Sequence, residues 1–368
     1  RMLYNELKHV LPEFRFEGRY KSVEELHSGN INFTYHLVYL ADGREHHYTL
    51  QHINSYVFKD PAKVMHNIER VTGHLRARLL AEGMDPRRHV LALVPTRGGG
   101  ALFQDAEGGF WRAYHFIENA TAYDQVLRPR QFFEAGRGFG MFQRRLFDFP
   151  AGELNETIPD FHHTTKRFYA FVKSVAEDRA GRVAELEDEI EFFFERRRMM
   201  GQIVKKLSTG ELPVRVTHND TKVNNVMIDD QTDEAICVID LDTVMPGSSL
   251  YDYGDAIRFG ASTAVEDEPD ISKISLDMEK FELFTRGFFQ ETRGFLTKQE
   301  LLLMPLGALV MTCELAMRFL TDYIDGDLYF KVKSPEHNLV RARAQMKLLT
   351  DIEEKYDRMA EYVGKLAE

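Results

Sequence analysis

A short polar run, residues 218–225, lies directly before two apolar runs that are too short to be helices. The apolar runs, residues 226–228 and 236–239, are separated by turn-forming Asp, Gln and Thr residues, which is typical of a β-hairpin. Such a hairpin would place the polar run at its entrance and Asp240 and Asp242 at its exit. The sequence therefore predicts that these polar side chains converge, and that the rest of the chain is organised around them.

The spacing of the polar run indicates a chemistry. It has the form His-x-Asp-x-Lys-x-x-Asn, which is the order of the protein-kinase catalytic loop with its base Asp and metal-binding Asn. Phosphoryl transfer needs an oriented nucleophile and neutralised phosphate charge. In this interpretation Asp220 accepts a hydrogen bond from the attacking hydroxyl, and Lys222 offers a point charge to the transferred phosphate. Asn225 and Asp240 hold Mg²⁺ through hard oxygen ligands.

A non-catalytic explanation competes with this interpretation. Asp and Asn side chains that make local turns in a polar loop beside a hairpin give nearly the same spacing. The strand that ends in Asp240 and Asp242 favours a functional site, because acidic groups after a buried strand are otherwise desolvated at a cost on the order of several kcal/mol. Asp242 is predicted to support the first metal, to bind a second one, or to contact the substrate.

These residues resemble the aminoglycoside phosphotransferase and choline kinase superfamily, and the longer sequence resembles one of its branches, the bacterial N-acetylhexosamine 1-kinases. The resemblance covers nearly the whole chain and is carried by residues 216–226, 238–247, 252–268, 317–323 and 335–341. It implies a two-lobed, protein-kinase-like α/β (α+β) fold, with a β-rich amino lobe over residues 1–117 and a mostly helical carboxyl lobe over residues 118–368. It also implies transfer of the γ-phosphoryl group of ATP, with Mg²⁺, to the anomeric hydroxyl of N-acetylglucosamine or N-acetylgalactosamine.

Composition restricts the partners and the compartment. The formal net charge of -11 argues against nucleic acid or an anionic membrane as the main partner, but permits a nucleotide beside local lysines and Mg²⁺. The only two cysteines, Cys237 and Cys313, give no disulfide framework, which fits a reducing compartment. We find no apolar run of membrane-spanning length and no secretory signal. A soluble cytoplasmic protein, long enough at 368 residues for two lobes, is expected.

The amino-terminal part is predicted to begin with a helix over residues 2–11 and to continue with a hairpin. Residues 27–40 end in one strand, residues 47–53 form the other, and Asp42 and Gly43 make the turn. In a kinase this hairpin covers the nucleotide phosphates. It contains only one glycine, Gly29, but backbone amides from Gly29 to Asn32 are predicted to meet phosphate oxygens.

Gln51 is a departure from the resemblance. Most of the superfamily has Lys at this strand position to hold the α- and β-phosphates, whereas Gln51 can hydrogen-bond phosphate without supplying charge. Glu69 stands where a kinase carries the ion-pair partner of that Lys, so this pair cannot form. Lys63 and Lys222 are the candidates to compensate.

The link between the lobes is predicted near residue 118. A helix over residues 61–80 is followed by three predicted strands, residues 90–95, 101–104 and 111–117. Phe116 and Glu118 then lie where a kinase hinge joins the lobes, and their backbone is predicted to bind the adenine edge.

Helices are predicted over much of the carboxyl lobe. Residues 131–147 repeat apolar side chains at three- and four-residue steps, which indicates a core helix, and residues 185–198 form a charge-rich helix with a solvated face. Residues 349–366 keep the same spacing, which would suit either a coiled-coil seam or packing within the chain. Packing within the chain is the commoner case, so we favour a monomer over a dimer.

The resemblance also implies a sugar pocket. Arg318 and Tyr329 would contact sugar hydroxyls, Phe259 would pack on the apolar sugar face, and Asn30 would close the pocket from the amino lobe. Asp322 lies four residues after Arg318 and on the same helix face, so it is a further candidate for the substrate. An exposed intrahelical ion pair explains this spacing equally well.

Three other functions remain open on the sequence alone. A related kinase of an amine such as choline would need an acidic pocket, against which Arg318 and Arg341 argue. A nucleotide-binding pseudokinase is suggested by Gln51 but is disfavoured by the intact Asp220 and Asn225. A protein kinase would need an activation segment, and none is recognisable after Asp242. The preferred epimer at C4 depends on about one hydrogen bond, on the order of 1 kcal/mol, and stays open.

Overall fold

The structure is a computed structural model that describes residues 2–27, 31–124 and 128–368. In chain order the amino-terminal elements are α1 (Met2–Leu7), β1 (Arg19–Leu26), β2 (Phe33–Ala41), β3 (Arg44–Ile53), α2 (Pro61–Ala81), β4 (Phe103–Gln104), β5 (Phe110–His115) and β6 (Ala120–Ala122). Five of the strands form one antiparallel sheet in the order β1-β2-β3-β5-β4. Leu7 of α1 packs with Leu37, Leu50 and Trp111 of the sheet, so a small separate core covers one face of it.

The register of this sheet places polar residues in one row. Asp42 and Gly43 in the β2–β3 turn both have positive φ angles, 50° and 72°, as a type I′ hairpin turn requires. The resulting register puts Thr34 on β2 opposite Gln51 on β3, and Gln51 opposite Arg112 on β5. Three neighbouring strands therefore each contribute one polar side chain to the same row.

Several predicted boundaries in this part were wrong. The strand β1 was not predicted, because most of its residues are polar and none is fully buried. With β1 present, the Asp42–Gly43 turn joins the second and third strands, β2 and β3, instead of the first two. Residues 90–95 make an isolated bridge from Leu93 to Tyr114 instead of a strand, and the first helix ends at Leu7 instead of residue 11.

The remaining elements are mostly helical. They are α3 (Pro129–Leu146), α4 (Thr164–Glu177), α5 (Glu187–Glu195), α6 (Arg197–Met200), α7 (Gln202–Ser208), β7 (Arg215–Thr217), β8 (Val226–Asp229), β9 (Ala235–Val238), β10 (Met245–Gly247), α8 (Ser249–Gly260), α9 (Met278–Thr292), α10 (Lys298–Leu302), α11 (Met304–Asp325) and α12 (His337–Ala367). The predicted hairpin is present as β8 and β9, which β6 extends to three strands. The predicted lobe boundary falls between β5 and β6, where the chain leaves the large sheet.

Two glycines allow α8 to lie against the core helix α11. A Cβ atom on Gly254 would lie 2.1 Å from the carbonyl oxygen of Gly307, and a Cβ on Gly307 would lie 2.4 Å from the carbonyl oxygen of Leu250. Any side chain at either position would force the helices apart. This close contact fixes α8, which carries Asp252, below the polar run that precedes β8.

Helix α11 is an exception to the expectation that no apolar run reaches membrane-spanning length. Its 22 residues are long and apolar enough to cross a membrane by length and composition. However, 89% of its most apolar 18-residue window is buried inside the protein, which is the pattern of a core helix.

The apolar seam predicted over residues 349–366 packs within the chain. It belongs to α12, and its Leu349, Ile352, Met359 and Val363 are fully buried in the main core. Helix α12 packs on α9, α10 and α11. The apolar face is therefore covered without a second copy of the chain, and the monomer stays our prediction.

Asp229 anchors the β8–β9 turn and gives a test of stability against pH. It accepts hydrogen bonds from the Thr232 and Gln231 N–H groups, both at 2.8 Å, and from Arg88 at 2.7 Å, and these bonds lower its pKa to about 2. Because the folded pKa lies below the unfolded value of about 3.9, the stabilisation is present at neutral pH and is lost as the pH falls through about 4 to 2. We expect Asp229→Asn to lower the free energy of unfolding by about 1–3 kcal/mol at pH 7.

Urea unfolding at pH 7, 4 and 3 measures this effect. The difference between Asp229→Asn and the wild type should shrink steadily over that series. A difference that does not change with pH would contradict the assignment of the stabilisation to the ionised carboxylate.

Candidate active site

A carboxylate on α8 holds the polar run between β7 and β8. The backbone N–H groups of His218 and Asn219 each donate to the Asp252 carboxylate at 2.8 Å, and Gln143 Nε2 on α3 donates to it at 3.1 Å. The Thr221 hydroxyl donates to the Asp252 carbonyl at 2.6 Å. Asp252 is buried, so these bonds are shielded from water. One residue therefore fixes the backbone on both sides of Asp220.

His218 is held as a neutral imidazole. The Asp220 N–H donates to Nδ1 at 3.1 Å, and Nε2 lies 2.9 Å from the Ile239 carbonyl. Since Nδ1 accepts and Nε2 must donate, the ring is the neutral Nε2–H tautomer. Phe139 and Phe142 pack edge-on against it. His218 thus ties the backbone at Asp220 to the end of β9 and has no free nitrogen for proton transfer.

Asp220 and Lys222 lie together in the main cavity, whose volume is about 280 Å³. Burial raises the pKa of Asp220, and Lys222 is the strongest opposing influence. The charge of Asp220 is in turn the main reason that the pKa of Lys222 is raised. Each group therefore favours the charged form of the other. Lys222 Nζ also lies 5.8 Å from the ring centroid of Phe259, which places that ring beside the catalytic pair.

Asn225 and Asp240 have free oxygens suited to a hard cation. Asn225 Nδ2 donates to the Asp220 carbonyl at 2.8 Å, which leaves Oδ1 as an acceptor. Asp240 has a left-handed backbone, with φ of 58°, which is uncommon for a non-glycine residue and is often found at functional sites. Burial, and then the charges of Asp242 and Asp220, raise the pKa of Asp240 to about 8.

This donor set fits Mg²⁺. The Asp240 carboxylate has no hydrogen bond or ion pair to any residue in the described ranges, so a divalent cation would supply the missing positive charge. No three His, Cys, Asp or Glu side chains among the described residues are grouped to hold a metal. Mg²⁺ would therefore be bound by the two side-chain oxygens together with phosphate oxygens and water, as is usual for this ion.

The main cavity collects most of the predicted catalytic and nucleotide-binding side chains. It is lined by Asn32, Gln51, Phe116, Asp220, Lys222, Asp240 and Asp242. Asn225 and Phe259 contact members of this group, as described above. Gly29 and Asn30 lie outside the described residues. Lys63, a candidate to compensate for Gln51, is exposed on α2 and does not line this cavity.

The structure gives Asp242 and Asn32 other partners than those predicted. Both oxygens of Asp242 pair with the fully buried Arg112, and Asn32 Nδ2 donates to Asp242 Oδ2 at 2.9 Å. Asn32 Oδ1 accepts from the Asn54 N–H at 2.8 Å. Both oxygens of Asp242 are thus engaged by protein donors, and its side chain also lines the main cavity, so its metal and substrate roles stay predictions. Sequence spacing missed this because Arg112 lies 130 residues away.

The hinge prediction needs a similar correction at Glu118. Its carbonyl accepts from Arg88 at 3.0 and 3.2 Å and is therefore not free for an adenine edge. The Phe116 N–H donates to the His47 carbonyl at 3.0 Å, and the Phe116 ring stacks on His36 with 4.2 Å between centroids. Phe116 lines the cavity, whereas the Glu118 side chain is mostly exposed and lies 3.5 Å from His47.

A second cavity of about 170 Å³ contains three of the predicted sugar-binding residues, whereas Phe259 lies beside Lys222. Arg318, Asp322 and Tyr329 all line it, together with Arg167. The Arg318 side chain is partly buried and makes no hydrogen bond to any residue in the described ranges, while its ion pair with Glu314 is long, at 3.9 Å. Rings of Phe161, Tyr329 and Phe330 surround the guanidinium at 5.3–5.8 Å. A guanidinium that lines a cavity and makes no protein hydrogen bond has donors that a ligand can use.

Asp322 has neither of the two roles predicted for it. Its Oδ1 accepts from the N–H groups of Leu328 and Tyr329 at 2.9 and 2.8 Å, and its Oδ2 accepts from Phe330 N–H and Asn338 Nδ2 at 3.0 and 2.8 Å. Four donors saturate the carboxylate, so it shapes the loop after α11. It forms no ion pair with Arg318, which faces Glu314 instead.

Three functional candidates were missed. Asp252 begins one of the segments that carry the resemblance, but only its position twelve residues after Asp240 marked it. Arg112 gave no signal beyond a charged residue in an otherwise apolar strand, a pattern that indicates a buried partner. Glu314, within an apolar helix, carried the same signal, and the structure pairs it with His162 at 2.8 Å.

The family model described as the phosphotransferase enzyme family matches residues 22–274. The family match and the fold define a phosphotransferase with a protein-kinase-like fold. The chain belongs to the phosphotransferase enzyme family.

Solved structures of similar fold include three small-molecule kinases. An aminoglycoside phosphotransferase from Alicyclobacillus acidocaldarius has a TM-score of 0.58 and 9% identity, covering 98% of this chain and 96% of its own. A choline kinase from Cryptosporidium parvum has a TM-score of 0.56 and 14% identity, covering 96% and 95%. A spectinomycin phosphotransferase, solved with ADP and spectinomycin, has a TM-score of 0.51 and 14% identity, covering 99% and 97%. These likenesses confirm the predicted protein-kinase-like α/β fold.

Proposed function

We propose that this protein is an N-acetylhexosamine 1-kinase, which transfers the γ-phosphoryl group of Mg-ATP to the anomeric hydroxyl of N-acetylglucosamine or N-acetylgalactosamine. The observation that carries phosphoryl transfer is that Asp220, Lys222 and Asp240 line one cavity, while Asn225 is hydrogen-bonded to the Asp220 carbonyl. The sequence resemblance supports the choice of sugar. We place the reaction in the cytoplasm, in keeping with the cysteine content.

Asp220 would act on the sugar hydroxyl. Its backbone is fixed by His218 and Asp252, so its carboxylate has a defined direction, and no described residue donates a hydrogen bond to that carboxylate. An anomeric hydroxyl is more acidic than an ordinary alcohol, so Asp220 need only orient it and accept its proton late in the reaction. Lys222 places positive charge beside the phosphoryl group as it moves.

Mg²⁺, when bound, neutralises negative charge on the nucleotide phosphates. Asn225 Oδ1 and the Asp240 carboxylate are the protein groups that would hold it. The hydrogen bond from Asn225 to the Asp220 carbonyl joins the metal site to the backbone of the catalytic residue. This bond would fix the position of the metal site relative to Asp220, which binds the acceptor hydroxyl.

Arg318 is the group best suited to bind the sugar. Arg318 lines the second cavity and makes no hydrogen bond to the described residues, so sugar hydroxyl or carbonyl oxygens would accept from its N–H groups. Tyr329, whose side chain is exposed at the cavity, can add a ring and a hydroxyl. The neighbouring Arg167 adds positive charge, which disfavours a cationic amine as the acceptor.

Arg318→Met tests this assignment. We expect the KM for N-acetylglucosamine to rise roughly 10- to 100-fold, because charged hydrogen bonds to the sugar are lost, while the KM for Mg-ATP stays unchanged. Arg343→Met is the control, since Arg343 is an exposed arginine on α12 that pairs with Glu189. Equal sugar kinetics in the Arg318 and Arg343 variants would remove Arg318 from the sugar site.

A further inference from the structure

A chain of hydrogen bonds crosses the amino-terminal sheet and ends in the catalytic segment. Gln51 Nε2 donates to Thr34 Oγ1 at 3.2 Å, and Arg112 Nε donates to Gln51 Oε1 at 2.8 Å. Arg112 Nη1 and Nη2 then fork onto the two oxygens of Asp242. Asn32 donates to the same carboxylate. All five side chains line the main cavity.

This chain determines what Gln51 can offer a ligand. Its amide oxygen is taken by Arg112, so only its N–H groups remain. Thr34 accepts one of them, and the NH₂ group has a second. Gln51 is therefore fixed as a hydrogen-bond donor at the cavity, which suits phosphate oxygens and not a metal ion.

The chain also places a buried ion pair, between Arg112 and Asp242, beside Gln51. Among the described residues that line the cavity, Arg112 and Lys222 are the only lysine or arginine side chains. Lys222 lies with Asp220 at the catalytic loop, whereas Arg112 lies in the sheet directly opposite Gln51. Burial lowers the pKa of His115, which also lines the cavity, so it adds little positive charge.

We propose that Gln51 and Arg112 together replace the single lysine that related kinases carry at the Gln51 position. Gln51 donates a hydrogen bond to a non-bridging phosphate oxygen of the nucleotide. Arg112 is a positioning residue: its bond to the Gln51 amide oxygen leaves the Gln51 amide donors available to the phosphates. Asp242 and Asn32 hold the guanidinium in place. This inference rests on the proposed binding of a nucleotide in the main cavity.

Gln51→Glu is the most informative variant. A carboxylate accepts from Arg112 as the amide oxygen does, so folding is preserved, but it has no N–H donor and repels phosphate. We expect the dissociation constant of Mg-ADP, measured by isothermal titration, to rise roughly 10- to 100-fold. The melting temperature without nucleotide should equal or exceed that of the wild type.

Arg112→Lys tests the positioning role. Lysine keeps the charge but cannot form the planar fork to Asp242 together with the bond to Gln51. We expect Mg-ADP binding to weaken by about tenfold, while the KM for the acceptor sugar is unchanged. Arg145→Lys is the matched control, because Arg145 is another buried arginine, pairs with Glu82 and does not line the main cavity.

The outcomes separate this inference from the proposed function. If the Gln51→Glu variant binds Mg-ADP with the same affinity as the wild type, the inference is overturned and the kinase assignment still stands. If Mg-ADP binding weakens equally in the Arg112 and Arg145 variants, and their melting temperatures fall by the same amount, Arg112 has only a structural role. Failure of the wild-type protein itself to bind Mg-ADP would overturn both proposals. If Arg112→Lys does not fold, Gln51→Glu alone decides the matter.

Discussion

Replacement of Asp220 with alanine is expected to lower kcat by about 10²- to 10⁴-fold. The substitution removes the group that orients the acceptor hydroxyl and takes its proton. Its carboxylate has no hydrogen bond to the described residues and is costly to bury, as its raised pKa shows. The melting temperature of Asp220→Ala should therefore equal or exceed that of the wild type, and Mg-ADP binding should persist.

Single-turnover assays with thermal melts measure both halves of this prediction. Asp230→Ala is the control, because Asp230 is an exposed carboxylate in the nearby β8–β9 turn. Near-normal turnover by Asp220→Ala would refute its catalytic role. A large loss of stability would show instead that Asp220 holds the loop together.

Asp252→Asn is expected to have the second largest effect. The backbone N–H groups of His218 and Asn219 bond to different oxygens of Asp252, and the substitution turns one of these oxygens into an NH₂ group, which cannot accept a hydrogen bond. A buried N–H without a partner costs about 1–3 kcal/mol, and the remaining bond loses its charge, so we expect a loss of about 2–4 kcal/mol of stability. Because the loop then moves relative to the metal site, kcat should fall at least about tenfold.

Asp277→Asn is the matched control for that variant. Asp277 also accepts from two backbone N–H groups, those of Glu279 and Lys280, at the start of α9. It should lose less than about 1 kcal/mol and keep full turnover, because it caps a helix away from the catalytic loop. An Asp252 variant that behaves like the Asp277 variant would contradict the role given to α8.

The parts of the site that are close in sequence could be predicted from sequence. The polar run, the hairpin and Asp240 lie within one short segment, and the turn between the apolar runs defines how they meet. The fold followed from the resemblance that this segment carries. The spacing also agrees with the structure in that Asp220 and Lys222 line one cavity and Asn225 bonds to the Asp220 carbonyl, while their chemical roles stay predictions.

The parts that depend on long-range pairing could not be predicted. Asp242 appeared to be a free carboxylate because its partner, Arg112, comes from a distant strand. Asp322 appeared to be paired with Arg318 because helix spacing takes no account of the loop after α11, whose N–H groups bond to Asp322. The strand β1 was missed because an edge strand with mostly solvent-facing side chains lacks an apolar pattern. In each case tertiary contacts, which local pattern does not encode, decided the outcome.

The most direct test of the proposed function is the identity of the phosphorylated product. The purified protein would be incubated with Mg-ATP and, separately, N-acetylglucosamine, N-acetylgalactosamine, galactose, choline and homoserine, and the product examined by ³¹P NMR. We predict an anomeric phosphate on the N-acetylated sugars, absent with Asp220→Ala. Phosphate on choline or homoserine alone would contradict the sugar assignment while leaving the kinase fold and catalytic loop in place.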